Sequence, residues 1–133
     1  MAERQAAIVG VYEHPLRMAP GRSAMQLKIE SIHGALADAG LSLSHVDAVY
    51  DASEAEGGAG LAKALEQISR EASQLVWGGT TILILSDRDA DRVRAPIPSL
   101  LATAGVHHHL VRQGARTRCA LIVETGEIGR AHV

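Results

Sequence analysis

Three consecutive histidines, His107, His108 and His109, are the densest run of metal-capable side chains in the chain. Neighbouring helical residues project about 100° apart, so three in a row do not converge on one ion. A zinc-binding helix spaces its ligands as i and i+4, and the residue four beyond His107 is Val111. The triplet therefore reads as structural or interface histidines, with a metal site the alternative, and no metal ligand is assigned. A second set, Ser86, Asp87, Arg88, Glu124 and Thr125, falls where two apolar runs end. If those runs are parallel strands, these residues share the carboxyl edge of a sheet, where ligand sites of open α/β proteins lie. Ser86, Asp87, Arg88 and Glu124 are accordingly candidate cofactor-binding residues. The plainer reading, strand-end capping with an ordinary ion pair, is preferred.

The remaining candidates are weaker. Cys119 sits inside an apolar run, and a nucleophilic thiol needs an exposed electropositive site, so Cys119 reads as a small core residue. Gly57-Gly58-Ala59-Gly60 precedes a helical pattern, the right setting for a phosphate. It fits neither the GxGxxG nor the P-loop spacing, and Glu54 and Glu56 would repel an anion, so it reads as a turn. Asp38, Asp47, Lys63, Glu66 and Arg70 read as solvated charges, with Glu66 and Arg70 an i, i+4 pair. No catalytic residue is expected.

The elements that would hold these residues follow from periodicity. Ala6–Tyr12 reads as a strand. Pro15, Pro20 and Gly21 mark a loop, Ser23 is a helix N-cap, and Met25, Ile29, Ile32 and Leu36 form one helical stripe ending at Gly40. Val46–Tyr50 reads as a strand and residues 51–60 as a turn-rich link. Leu61–Ala72 is an amphipathic helix closed by Gly78-Gly79. Ile82–Leu85 is a strand apolar on both faces. Pro96 and Pro98 belong in a loop or a first helical turn. A helix from Ser99 stops at Gly114, and Cys119–Val123 is the last strand. The pattern is β-α-β-α-β-α-β, which predicts the α/β class with a small, mostly parallel four-stranded sheet flanked by helices.

Bulk properties bound the function. The chain has 133 residues, suited to one domain, and 47% of them are hydrophobic. With no Phe, one Trp and two Tyr, the core must be aliphatic. A net charge of −2 gives no reason to expect nucleic acid or an acidic membrane surface as a partner. A single Cys excludes an internal disulfide and fits a reducing, cytoplasmic compartment. No signal peptide and no apolar run of membrane-spanning length is read. Self-association through apolar sheet faces is the partner expectation that remains.

The motifs LSDR, APIPSLLA and HHHL, in that order and spacing, resemble the central domain of the glutamate synthase large subunit, over about residues 54–126. Ala6–Tyr50, with ALADAGL and the following VD, resembles the N-terminus of a thiolase of the sterol-carrier or acetyl-CoA acetyltransferase type. The tail EIGRAHV resembles a translated sequencing adapter. These resemblances imply three segments: a thiolase-like βαβ segment at 1–52, a glutamate synthase central-domain-like segment at 53–126 and a non-native tail at 127–133. They form one compact unit if the chain folds.

The glutamate synthase likeness implies a structural piece of an enzyme that makes glutamate from glutamine and 2-oxoglutarate, using FMN, an iron–sulfur cluster and NADPH or ferredoxin. Those cofactors and the glutaminase nucleophile are expected elsewhere than in this chain, whose expected cofactor content is none. The thiolase likeness implies acyl-CoA acyl transfer instead, and a third class is a non-enzymatic α/β interaction module. Sequencing source DNA across Asp47–Glu56 tests the chimeric reading: two separate genes are expected, and one locus spanning the window contradicts it.

Overall fold

The computed structural model describes residues 7–16, 18, 20–52 and 58–127. It divides into two compact units, Met1–Ser42 and Leu43–Val133.

In the first unit, α1 spans Ala24–Asp38 and starts in a reciprocal cap. Gln26 N–H donates to Ser23 Oγ at 3.2 Å, and Ser23 N–H donates to Gln26 Oε1 at 2.8 Å. Gly40 ends the helix with φ +67°, and Leu41 N–H returns to the Leu36 carbonyl at 2.8 Å. The expected strand at Ala6–Tyr12 is not formed: residues 7–12 carry no strand, and Ala6 lies outside the described residues. Their partner is α1 rather than a ladder. Val11 N–H donates to Asp38 Oδ2 at 2.9 Å, and glycines permit the close approach. A Cβ at Gly10 would lie 2.3 Å from the Ala35 carbonyl oxygen, and one at Gly34 would lie 2.3 Å from the Tyr12 ring. The stripe of Met25, Ile29 and Ile32 is 64%, 47% and 56% exposed, and α1 buries no residue.

The second unit holds β1 (Leu43–Asp47), β2 (Val49–Asp51), α2 (Gly58–Trp77), β3 (Ile82–Ser86), β4 (Arg94–Pro96), α3 (Ser99–Arg112), a 3-10 turn (Arg116–Arg118) and β5 (Ala120–Glu124). β1, β3 and β5 form a parallel sheet in that order, so β3 is central. Each step is a strand–helix–strand crossover in the same direction, which leaves both helices on one face. α2 and α3 pack on each other there, with Gly105 against Leu65.

Strand alternation sends Val46, Leu83 and Leu85 to that face, where they are 0–1% exposed. They meet Ala64, Ile68, Ala72 and Val76 from α2 and Ala102, Val106 and Leu110 from α3, all buried. The small residues bring the helices close to the strands, which suits a core without Phe. Gly79 (φ +104°) and Gly114 (φ +65°) end α2 and α3, as the sequence leads one to expect.

The α/β class and the mostly parallel, helix-flanked sheet are as expected; the strand count is not. The parallel sheet has three strands among the described residues. The expected strand Val46–Tyr50 breaks at Ala48. There the chain changes partner: Ala48 N–H donates to the Ser86 carbonyl at 2.7 Å, and Ile97 N–H donates to the Ala48 carbonyl at 2.8 Å. β2 then pairs antiparallel with β4, a strand in the stretch expected to be loop or helical turn. Pro96 can lie there because β4 is an edge strand and the missing N–H interrupts no ladder. Asp91 sets its entry, accepting from the N–H groups of Val93 and Arg94, each at 2.8 Å.

Leu83, wholly buried at the centre, is the position where truncation should cost most. Leu83→Ala is expected to lose about 3 kcal/mol of unfolding free energy in urea titration. A loss below about 1 kcal/mol would mean that the sheet is not the core.

Candidate functional site at the carboxyl edge of the sheet

Parallel register places Ser86 beside Asp47 on one side and Glu124 on the other, so all three strands end in one row. The four sequence candidates meet there. Ser86 Oγ donates to Glu124 Oε2 at 2.8 Å, and Arg88 Nε lies 2.6 Å from Glu124 Oε1. The Arg88 N–H reaches Ser86 Oγ at 3.3 Å, and the Asp87 N–H donates to the Glu124 carbonyl at 3.1 Å. The Asp87 carboxylate accepts from the Thr125 hydroxyl and from the Gly126 N–H at 3.1 Å.

Sequence reasoning missed the next member. Glu127, assigned above to the tail, accepts from the Ser99 N–H at 3.1 Å and from the Ser99 hydroxyl. It thereby supplies the anionic cap that Pro98 cannot give α3. An uncapped helix after Pro98 and an acid just beyond the last strand were the available signals.

The arrangement fastens β3 to β5 and β5 to α3. Its chemistry is largely consumed by these bonds. The Arg88 side chain is 77% exposed, so its ion pair with Glu124 adds little energy. The cavity bordered by Leu85, Ile97, Ala102 and Val123 is about 10 Å³, room for at most a water.

The other candidates lie elsewhere. His107 Nδ1 accepts from Arg116 Nε at 3.0 Å, and the same guanidinium donates to the Cys119 carbonyl at 2.9 Å. His107 and His108 meet edge to face at 5.1 Å. His107 thus ties α3 to the turn before β5. Cys119 is 7% exposed, and burial pushes its thiol up against the weaker opposing pull of Arg116, the reverse of an activated nucleophile. Gly58, Ala59 and Gly60 form the first turn of α2, whereas Glu54, Glu56 and Gly57 lie outside the described residues.

A groove of about 950 Å³ lies between β1–β2 and α2, floored by Ala64 and Ile68 and carrying Asp47, Asp51, Lys63 and Glu71. Burial, and then the nearby Asp47, hold the Glu71 carboxyl above its ordinary value. The folded state therefore favours protonated Glu71. That contribution is full below the ordinary carboxyl value and is lost as pH rises through the raised one. Glu71→Gln should stabilise the protein at pH 7 by a few tenths of a kcal/mol, about the size of an exposed charge interaction. The gain should vanish near pH 4 in paired thermal melts, and a variant less stable than the parent at pH 7 would contradict this.

Comparison with known proteins adds the lineage. The model of the glutamate synthase central domain matches residues 22–133. Glutamate synthase [NADH] of Saccharomyces cerevisiae is 38% identical over 91 residues, covering 68% of this chain and 4% of that protein. The glutamate synthase [NADPH] large chain of Bacillus subtilis is 39% identical over 72 residues, 54% of this chain and 5% of that one. The Azospirillum brasilense large chain is 45% identical over 67 residues, 50% of this chain and 4% of that one. This chain thus spans about a twentieth of the length of these relatives. The family match takes in α1, β1 and β2, which the sequence reading gave to a thiolase, and residues 127–133, which it gave to an adapter. Neither of those readings gains support. One family model running from the loop before α1 through β5 means that the chain belongs to the glutamate synthase central domain family.

Proposed function

We propose that this chain is a structural piece of a glutamate synthase large subunit, serving an enzyme that forms glutamate from glutamine and 2-oxoglutarate, without performing chemistry itself. One observation carries the reading. Ser86, Asp87, Arg88, Glu124, Thr125 and Glu127 occupy the edge where an α/β sheet offers its ligand site, and each is bonded to another group of the chain. The edge is a fastening.

An iron–sulfur cluster does not fit the residues present. It draws on several thiolates, and this chain has one cysteine, buried beside the 3-10 turn. Among the described residues, no three His, Cys, Asp or Glu side chains gather as a metal set. We propose that FMN, the cluster and NADPH or ferredoxin are held by other parts of the parent enzyme. No described helix is long and apolar enough to cross a membrane, and the proposed compartment is the cytoplasm.

A second role rests on the sheet face opposite the helices. Ile82, Ile84 and Ile122 share it by alternation, and Ile122 is 47% exposed. An apolar face of this kind favours self-association when nothing else covers it.

The purified chain should show no glutaminase or glutamate-forming turnover and no retention of FMN or acetyl-CoA in equilibrium dialysis. Turnover of either kind refutes the non-catalytic reading. Sedimentation should show a concentration-dependent larger species that Ile122→Lys abolishes; an unchanged distribution refutes the second role alone.

A further inference from the structure

From Arg92 to Val123 the chain contains no Asp or Glu, and all 15 of its carboxylates lie outside that stretch. Arg112, Arg116 and Arg118 fall in the last turn of α3 and in the 3-10 turn that follows it. α2 ends at Trp77 just before β3, and the 3-10 turn runs into β5, so these residues stand at the amino end of the sheet. Asp47 and Glu124 stand at the opposite, carboxyl end. None of the three arginines forms an ion pair with a described residue. Arg116 is held by the His107 ring and the Cys119 carbonyl, and neither acceptor is a carboxylate. Arg118 is exposed, with its guanidinium carbon 4.6 Å from the centroid of the Trp77 ring. That indole is itself 55% exposed. Aromatic contact takes up the face of a guanidinium and leaves its N–H edge for an acceptor. Arg112 is exposed too, and the carbonyl end of α3, equivalent to about half an elementary charge, answers only part of its charge.

The fork of the guanidinium and the charge around the patch say what kind of partner it fits. Arginine pairs with carboxylates through two parallel N–H bonds, among the stronger hydrogen bonds available to a side chain. The patch is short: two exposed forks, a third held beside them, and one exposed indole. Outside the stretch from Arg92 to Val123, the 15 carboxylates outnumber the eight cations. A long polyanion such as a nucleic acid meets that acidic remainder as soon as it runs past the patch, and is repelled there. A short acidic segment is not. We propose that Arg112, Arg116 and Arg118, with Trp77, form a docking surface for an acidic polypeptide segment of a partner protein. Its carboxylates take the N–H edges of Arg112 and Arg118, and its backbone or side chains cover the indole. The surface lies at the far end of the sheet from the fastened edge, so the proposal holds whatever reaction the parent enzyme performs.

The test uses the whole 133-residue chain at low salt. The probes are a short peptide alternating glutamate with serine, the same peptide with glutamine for glutamate, and a short single-stranded DNA. Anisotropy of the labelled probes gives affinity. The emission of Trp77, the one tryptophan in the chain, gives location when the unlabelled peptides are added. The glutamate peptide should bind more tightly than the other two probes and change the Trp77 emission. The double variant Arg112→Gln, Arg118→Gln should weaken it roughly tenfold, as expected for losing two partly screened charge contacts. The same change of charge at the carboxyl end, Lys63→Gln with Arg92→Gln, should leave the affinity close to that of the parent. All four side chains are exposed, so both variants should keep the parent's circular dichroism and thermal melt. Absence of glutamate-peptide binding, equal binding of the glutamine peptide or the DNA, or unchanged Trp77 emission would each overturn the proposal. So would undiminished affinity in the arginine variant, or an equal loss in the Lys63 and Arg92 variant.

Discussion

β3 receives a parallel strand on each side, with Ile82–Ser86 in register with Leu43–Asp47 and with Ala120–Glu124. Its two leucines then enter the helix-covered face almost completely buried. Backbone pairing and side-chain burial therefore constrain the same five residues. The other elements take their positions from this strand. α2 leads into it and α3 leaves it, the two helices share one face because both crossovers step the same way, and β5 can end only where β3 ends. Parallel strands need such crossovers, so the helices are as much a condition of the sheet as a cover for it.

The polar groups follow from the same register. Once β3 and β5 end together, Ser86 and Asp87 lie opposite Glu124 and Thr125, and two hydroxyls, two carboxylates and the Arg88 guanidinium gather at an edge where water is only partly excluded. Their hydrogen bonds run from strand to strand, and Glu127 carries the linkage on to the first turn of α3. The edge that elsewhere in α/β proteins receives a ligand here closes on itself. The proposed structural role rests on this bonding, since Ser86, Asp87, Arg88, Glu124 and Thr125 each have a partner within the chain.

How much could be read beforehand differs by element. Ser23, Gly40, Gly79 and Gly114 carried α1, α2 and α3 because caps and left-handed turns are local chemistry. Ile82–Leu85 carried β3 because an unbroken apolar run with β-branched Ile82 and Ile84 suits a strand inside a sheet. The candidate edge was legible once two strands were read as parallel. The strand expected at Ala6–Tyr12 shows the limit. Its apolar run has strand character, but pairing is a long-range choice, and Gly10 and Gly34 instead bring residues 7–12 against α1. The break at Ala48 was equally hidden, because β4 exists only through its pairing with β2 and its Pro96 argued locally against a strand. Glu127 was hidden for the same reason, because its carboxylate caps Ser99 from 28 residues away, a contact that only the fold creates.

Native-state amide exchange of the intact chain asks whether β3 is where stability is held. The amides of Ile82–Ser86 should exchange only through global unfolding, with a free energy equal to that from urea denaturation, while residues 7–12 exchange through far smaller openings. Exchange of β3 at free energies well below the global value, or as fast as residues 7–12, would contradict it.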